Sequence, residues 1–141
     1  MKNLKINIEG LASKPIHLEL KKDLEITDDI EYEAKRAAAR FGYYAVLAEE
    51  AQARVERAES SFEVWTAQES RSLEEENGKP FKTVEELKRK LRMIPKYSQW
   101  KSTLVKYRKE YRILKVVAKS FEHKKDLIQT VAANRRSEFN G

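Results

Sequence analysis

The sequence predicts a mainly α-helical protein of two long antiparallel helices and one short helix, packed like a coiled coil and self-associating. Glycine and proline are scarce, with 4 and 3 residues among 141, so few breaks interrupt the chain. Charged residues make up 37% of the sequence, which suits elongated helices with large solvated faces better than a compact globule. The third observation is an apolar repeat of helical spacing that extends through both long helices.

Residues 1–27 are predicted to form an N-terminal extension. The segments 4–8 and 16–20 alternate apolar and polar residues with a period of two, and Gly10 and Pro15 lie between them. This pattern predicts a short β-hairpin. Because two strands alone are only marginally stable, we expect the hairpin to pack on a helix or on the sheet of another subunit.

The first long helix is predicted to begin at Asp28, which has capping-box spacing to Glu31. Its apolar positions step by four and three residues without a break: Ile30, Ala34, Ala37, Phe41, Tyr44, Ala48, Ala51, Val55, Ala58, Phe62 and Trp65. A sustained 3.5-residue repeat indicates a left-handed helix–helix seam. Asn77 and Gly78 suit a left-handed C-cap and Pro80 follows them, so the helix is expected to end there.

Two further helices follow. Thr83 and Glu86 form a second capping box that opens a short helix, and Pro95 is expected to end or kink it. The last helix is predicted from about Lys96 to the 130s. Its apolar seam consists of Tyr97, Trp100, Leu104, Tyr107, Tyr111, Leu114, Ala118 and Phe121.

The last helix also carries a second apolar stripe. Lys125 interrupts the first seam and Ile128 resumes it, while Ile113, Val116, Val117, Leu127 and Val131 lie beside it. A helix that is apolar on two sides needs two partners, of which one is the first helix folded back and the other a neighbouring subunit. The residues expected to serve self-association are Val117, Phe121, Leu127, Ile128 and Val131.

Charge is divided between the two halves of the chain. Residues 79–141 hold 18 Lys and Arg against 6 Asp and Glu, whereas residues 1–78 hold 11 against 17. A basic half of this strength indicates a polyanionic partner. The alternative is a solvated helix surface that pairs with the acidic half of a neighbouring subunit.

The sequence offers little for catalysis. It has no cysteine and only two histidines, His17 and His123, which are far apart in sequence. His123 is expected at the surface, four scattered glycines cannot form a phosphate loop, and the acidic residues 74–76 are expected to be solvated. We therefore expect no enzyme, cofactor or metal site. No segment has the roughly 20 apolar residues that span a bilayer, and no signal peptide is evident, so we expect a cytoplasmic protein without a membrane partner.

Two basic stretches are the predicted nucleic-acid contacts. They are Lys88, Arg89, Lys90 and Arg92 in the short helix, and Lys106, Arg108, Lys109 and Arg112 in the last helix. Lys and Arg neutralise phosphates, and exposed bases stack on aromatic rings. Tyr107 and Tyr111 interleave the second stretch but also lie on the apolar seam, so they either stack on bases or pack in the core. No set of residues for reading base edges is evident, so binding should be independent of sequence.

Several segments share a pattern with a known family. They are Lys21-Lys22-Asp23-Leu24, residues 28–34 (DDIEYEA), Glu50-Ala51-Gln52 with Val55, Tyr97 with Trp100, Leu114-Lys115, residues 121–128 (FEHKKDLI) and residues 133–136 (ANRR). Together they resemble the phage UvsY recombination mediator family over a discontinuous majority of the chain. The resemblance implies a ring-forming helical accessory protein of homologous recombination. Such proteins bind single-stranded DNA, contact the single-strand-binding protein and help to load the recombinase, without ATPase activity.

The sequence departs from the family pattern at two places. The family's DNA-contacting basic pair corresponds to Ala58 and Ser60 here, so Arg54 and Arg57 are the nearest substitutes. The DNA surface is therefore expected to include the two basic stretches as well. Residues 1–20 have no counterpart in the family. The family assembles through its C-terminal helix, which agrees with the second apolar stripe.

The leading hypothesis is a recombination mediator that assembles as a homo-oligomer or ring. Residues 28–141 would form one helical domain for DNA binding and oligomerisation, acting in the host cytoplasm if a phage encodes it. Its partners would be single-stranded DNA, the recombinase and the single-strand-binding protein. The alternative is a non-enzymatic helical adaptor or inhibitor that binds another protein.

Overall fold

The computed structural model describes residues 4–6, 16–18, 23–27 and 29–140. These residues form two short strands, β1 (Leu4–Ile6) and β2 (Ile16–Leu18), and three helices, α1 (Ile30–Asn77), α2 (Val84–Arg92) and α3 (Pro95–Asn140). The predicted mainly helical class, with two long helices and one short helix, is confirmed. Neither long helix of this described part has a stretch apolar enough to cross a membrane.

The two strands pair antiparallel, with Leu4 opposite Leu18 and Ile6 opposite Ile16. Residues 7–15, which would connect them, lie outside the described residues. The β-hairpin over residues 4–20 and the element on which it would pack therefore stay predictions.

Local hydrogen bonds define both ends of α1. The carboxylate of Asp29 accepts a hydrogen bond from the backbone N–H of Tyr32 at 3.1 Å, so Asp29 caps the helix. The predicted cap, Asp28, lies outside the described residues. At the other end Gly78 has a φ of +74°, and its N–H donates to the carbonyl of Glu74 at 3.1 Å. Because glycine adopts this left-handed conformation without a Cβ clash, α1 ends at the predicted position.

The junction between α2 and α3 differs from the prediction at one residue. Thr83 caps α2 as predicted, since its hydroxyl accepts a hydrogen bond from the N–H of Glu86 at 3.1 Å. The sequence predicts that Pro95 ends or kinks the short helix, but α2 ends at Arg92 and Pro95 is the first residue of α3. Proline suits that position because its fixed φ fits a helix and its missing N–H is not needed there. α3 also extends beyond the predicted 130s, to Asn140.

Contacts along the chain divide it into two compact units. Unit 1 comprises residues 1–51 and 110–141, and unit 2 comprises residues 52–109. Each unit combines part of α1 with part of α3. The contacts within each unit join segments that are distant in sequence, and the predicted boundary at residue 28 stays a prediction.

In unit 1 the segments of α1 and α3 run antiparallel, since Glu33 contacts Lys124 whereas Tyr44, further along α1, contacts Phe121. The rings of Tyr44 and Phe121 stack with their centroids 5.5 Å apart. The buried core of this unit consists of Tyr44, Leu47, Ala48, Ala51, Leu114, Val117, Ala118 and Phe121. Most of these residues lie on the two seams that the apolar repeat predicts.

Three of the five residues expected to serve self-association lie in the interior of unit 1. The exposed fractions of Val117, Phe121 and Ile128 are 2%, 0% and 1%. Their surface is already covered within the chain, so these three residues form its own core and not a contact with another subunit. Leu127 is 58% exposed and Val131 is partly buried. A role of these two residues in self-association stays a prediction.

A charged cluster that the sequence did not predict lies inside unit 1. The ammonium of Lys124 is 2.7 Å from the carboxylate of Glu33, and both side chains are only 3% exposed. The same ammonium donates a hydrogen bond to the backbone carbonyl of Asp23. The carboxylate of Asp23 in turn pairs with Arg36 at 3.0 Å and with Arg40 at 2.9 Å. These contacts attach the chain at residue 23 to both α1 and α3.

In unit 2 the helix segments are also antiparallel, because Arg54 contacts Tyr107 whereas Trp65, further along α1, contacts Tyr97. α2 packs on them through Leu91, which is buried. The buried residues of this unit include Val55, Ala58, Trp65, Leu91 and Leu104.

Candidate nucleic-acid interface

The first predicted basic stretch lies along α2 in unit 2. Its four cations, Lys88, Arg89, Lys90 and Arg92, are all exposed. Three of them occupy the last turn of the helix, where positive charge interacts favourably with the helix dipole. The ammonium of Lys88 is 3.8 Å from the carboxylate of Glu85, and an exposed pair at that distance contributes little. All four cations therefore remain accessible to an anion.

Arg54 and Arg57 lie on one side of α1, three residues apart. The guanidinium carbon of Arg54 is 4.0 Å from the ring centroid of Tyr107, which is a close cation–π contact. One face of the Tyr107 ring is therefore covered by Arg54. Tyr111 packs against the core of unit 1. Core packing is thus observed for Tyr111, whereas both predicted roles of Tyr107 stay predictions.

The second predicted basic stretch lies on α3 and extends across the boundary between the two units. Arg108 pairs with Glu59 at 3.0 Å, and both side chains are nearly half exposed. Lys106 is exposed two residues before Arg108, and residues with this spacing point to different sides of a helix. Lys109 is exposed in unit 2, whereas Arg112 is exposed in unit 1. The structure thus places the four α2 cations on one short helix, and a surface shared by all ten predicted residues stays a prediction.

Unit 2 contains an aromatic cluster whose members the sequence predicts only as core. It consists of Phe62, Trp65, Tyr97 and Trp100. The ring of Phe62 lies 5.5 Å from Tyr97, 6.1 Å from Trp65 and 6.2 Å from Trp100 between centroids. These residues occupy apolar seam positions, so their spacing indicates that each ring packs against another helix but not that the four rings meet. Lys101 then adds a cation, with its ammonium 5.0 Å from the Phe62 ring centroid and 5.7 Å from that of Tyr97.

An open cleft of about 530 Å³ lies between the three helices of unit 2. Phe62 and Tyr97 from the aromatic cluster line one side, and Leu87 and Leu91 from α2 line another. Lys88 and Arg92 of the basic stretch also line this cleft. Aromatic rings and exposed cations therefore line the same cleft, which is the combination used by proteins that bind single strands.

The charge of unit 2 is divided between its sequence segments. Residues 79–109 carry 11 Lys and Arg against 2 Glu, whereas residues 52–78 carry 3 Arg against 7 Glu. The cations thus belong to the segment before α2, to α2 and to the first part of α3, close in sequence to the residues of the cleft. A segment of this sign attracts phosphates and concentrates a polyanion near it.

A metal site would need several His, Cys, Asp or Glu side chains close together in the part of the chain that the structure describes. Within it, no group of three His, Cys, Asp or Glu residues is placed to hold a metal ion. No protein-family model, curated protein or solved structure matches the chain significantly. The interpretation of the cleft therefore depends on its geometry and charge.

Proposed function

We propose that this protein binds single-stranded DNA without sequence specificity and assists the loading of a recombinase in the presence of single-strand-binding protein. The observation that carries the binding part is the position of the α2 cations at a cleft lined by aromatic rings. Phosphates supply most of the affinity in such complexes, and aromatic rings favour unpaired bases. The protein acts as a binding protein and not as an enzyme.

The mediator role is supported by the resemblance to the UvsY family in the segments around residues 21–34 and 121–136. It implies two protein partners, the recombinase and the single-strand-binding protein. In the proposed mechanism the protein holds a single strand in an ordered path while the recombinase replaces the single-strand-binding protein on it.

Self-association belongs to the same proposal. The exposed apolar side chains Val116 and Leu127 on α3, which are 65% and 58% exposed, support a contact with another copy, to which Val131 would contribute. In a homo-oligomer or ring, one weak site per subunit is repeated along the same strand. Linked sites raise the overall affinity by a large factor without any new contact.

The alternative function is a helical adaptor or inhibitor that binds another protein. It is favoured by the acidic segment at residues 52–78, which carries seven Glu. An acidic protein surface of this kind, on another copy or on a different protein, would also pair with the basic segment. In that case the α2 cations would bind acidic side chains and would show no preference for single-stranded DNA.

Fluorescence anisotropy tests the two functions. Labelled oligo-dT and a duplex of the same length are titrated with the protein and with a variant carrying Lys88→Gln, Arg89→Gln, Lys90→Gln and Arg92→Gln. We expect the protein to favour the single strand and the variant to bind it at least tenfold more weakly. A control variant carries Lys35→Gln, Lys115→Gln, Lys119→Gln and Arg136→Gln, which are four exposed cations of unit 1.

The control has the same net charge as the α2 variant and should bind oligo-dT nearly as well as the unchanged protein. Circular dichroism checks that both variants stay helical. If the folded protein binds neither DNA at low salt, the DNA-binding proposal is wrong and the adaptor becomes the better explanation. If binding is present, stimulation of recombinase filament assembly on strands coated with single-strand-binding protein tests the mediator role.

A further inference from the structure

We infer that the cleft of unit 2 is a nucleobase site, in which one unpaired base of the bound strand stacks against Phe62 or Tyr97 while Lys88 and Arg92 bind its flanking phosphates. This inference rests on the proposed function, because it identifies where and how the strand is held. It assigns base contacts to residues other than Tyr107 and Tyr111.

The stacking surface comes from two elements. Phe62 lies on α1 and Tyr97 on α3, both side chains are partly buried, and their rings meet edge to face at 5.5 Å. Both rings line the cleft, so neither is enclosed by the core. The centroids of Trp65 and Trp100 lie 6.1 and 6.2 Å from that of Phe62, and these contacts restrain the Phe62 ring before a base arrives. A rigid ring loses little side-chain entropy on binding, which favours stacking.

A cation lies over the same rings. The ammonium of Lys101 is 5.0 Å from the centroid of Phe62 and 5.7 Å from that of Tyr97. Lys101 is exposed and its chain is flexible, so it is able to leave a ring face and bind a phosphate of the same strand.

Two hydroxyls in the cleft explain why the site would accept any base. Thr66 donates its hydroxyl hydrogen bond to the carbonyl of Glu63 at 2.8 Å, and Ser70 donates to the carbonyl of Thr66 at 2.7 Å. Both residues line the cleft, and each hydroxyl oxygen, having donated its hydrogen, keeps lone pairs that are able to accept. All four bases carry an N–H group that is able to donate to such an oxygen, so these contacts do not distinguish one base from another.

The charge around the cleft favours a nucleic acid over an apolar peptide as the occupant. Residues 79–101 carry eight Lys and Arg against two Glu. The cleft volume of about 530 Å³ is in the range of sites that take small organic groups, roughly 300–1,000 Å³. A base in a duplex is stacked and paired and does not enter such a cleft, so the site also accounts for a preference for single strands.

The first test compares two oligonucleotides of equal length and equal phosphate number, oligo-dT and an abasic deoxyribose-phosphate strand, by fluorescence anisotropy. One stacked base should strengthen binding roughly 5- to 150-fold. Phe62→Leu and Tyr97→Leu should each reduce this ratio, chiefly by weakening the binding of oligo-dT. Tyr43→Leu, which removes a 51% exposed aromatic side chain from unit 1, is the control and should preserve the ratio.

A second measurement does not require a variant to fold. Both tryptophans of the chain, Trp65 and Trp100, belong to the aromatic cluster, so their fluorescence reports on this site. Oligonucleotides that contain 5-bromouracil should quench this fluorescence more strongly than oligo-dT, whereas the abasic strand should leave it nearly unchanged.

The outcomes separate this inference from the proposed function. If oligo-dT and the abasic strand bind equally tightly and bromouracil adds no quenching, DNA binding stands but the nucleobase site is wrong. The cleft would then be a groove for another ligand, such as a partner protein. If neither strand binds, both the proposed function and the nucleobase site are wrong.

Discussion

Among individual residues, the most consequential feature is the ion pair between Lys124 and Glu33. Both side chains are 3% exposed, so each charge has lost nearly all of its water. Removal of a charged group from water costs several kcal/mol, and only a close partner offsets that cost. Lys124 meets this condition with the Glu33 carboxylate and the carbonyl of Asp23. Thr27 donates a further hydrogen bond to Glu33 at 3.2 Å.

Removing one member of this pair should destabilise the protein strongly. In Lys124→Met the Glu33 carboxylate keeps its burial but loses its cation, and we expect a loss of about 3–5 kcal/mol in the free energy of unfolding. The double variant Lys124→Met with Glu33→Met leaves no buried charge and should recover much of that loss. Urea unfolding followed by circular dichroism measures both. A double variant no more stable than Lys124→Met would contradict this explanation.

The same pair makes stability depend on pH. The hydrogen bond from Lys124 lowers the pKa of Glu33 below its usual 4.5, opposed by burial and supported by the charge of Lys124 and the hydrogen bond from Thr27. Because the pKa is lower in the folded state, this stabilisation is complete above about pH 4.5 and is lost as the pH falls through the folded-state value. The unfolding free energies of the protein and of Glu33→Gln should therefore converge in acid. A difference between them that stays constant from pH 7 to pH 3 would exclude this linkage.

Among the secondary-structure elements, the helices and their buried faces could be predicted because a seven-residue repeat depends only on local sequence. Tyr44, Ala48 and Ala51 lie on the predicted seam and are buried. The predictions that failed concern residues whose position depends on contacts between helices. The apolar pattern places the interruption of the α3 seam at Lys125, but Lys124 is the buried residue. Its partners, Glu33 on α1 and the backbone carbonyl of Asp23, make that position favourable for a lysine.

The candidate site could be predicted in part for a similar reason. The cations of α2 are adjacent in sequence, so their clustering is visible without a fold. The cleft beside them depends on Phe62 and Tyr97, which are 35 positions apart in the sequence and meet only because α1 and α3 are antiparallel in unit 2. No local pattern distinguishes a core ring from one that lines an open cleft.

Two glycines, one inside α1 and one just after its last residue, should respond oppositely to alanine. Gly78 has a φ of +74°, and no atom lies within 4 Å of the place a Cβ would occupy, so Gly78→Ala adds backbone strain alone, worth about 1 kcal/mol. Gly42 lies in the helix interior with equally open surroundings, so Gly42→Ala should stabilise by about 0.5–1 kcal/mol. Thermal unfolding of the two variants checks the signs. If both substitutions changed the stability in the same direction, the end of α1 would not depend on the left-handed conformation of Gly78.

For the protein as a whole, the total charge and the position of the cations make different predictions about DNA binding. The chain carries +6 in total, of which unit 2 contributes +5, with 14 Lys and Arg against 9 Glu. If long-range attraction to the entire chain dominated binding, any four cations would be equivalent. If contacts at the cleft dominate, the four α2 cations should matter far more than four cations of unit 1.

The dependence of DNA affinity on salt distinguishes these cases. For a single strand, the logarithm of the binding constant falls with the logarithm of salt concentration by about 0.7 for each phosphate contacted. If the four α2 cations each contact one phosphate, their replacement by glutamine should make the slope shallower by about 3. The unit 1 control variant has the same net charge, +2, as the α2 variant, yet its slope should match that of the unchanged protein. Equal slopes for the two variants would mean that binding follows total charge, and that the strand does not follow a defined path across α2.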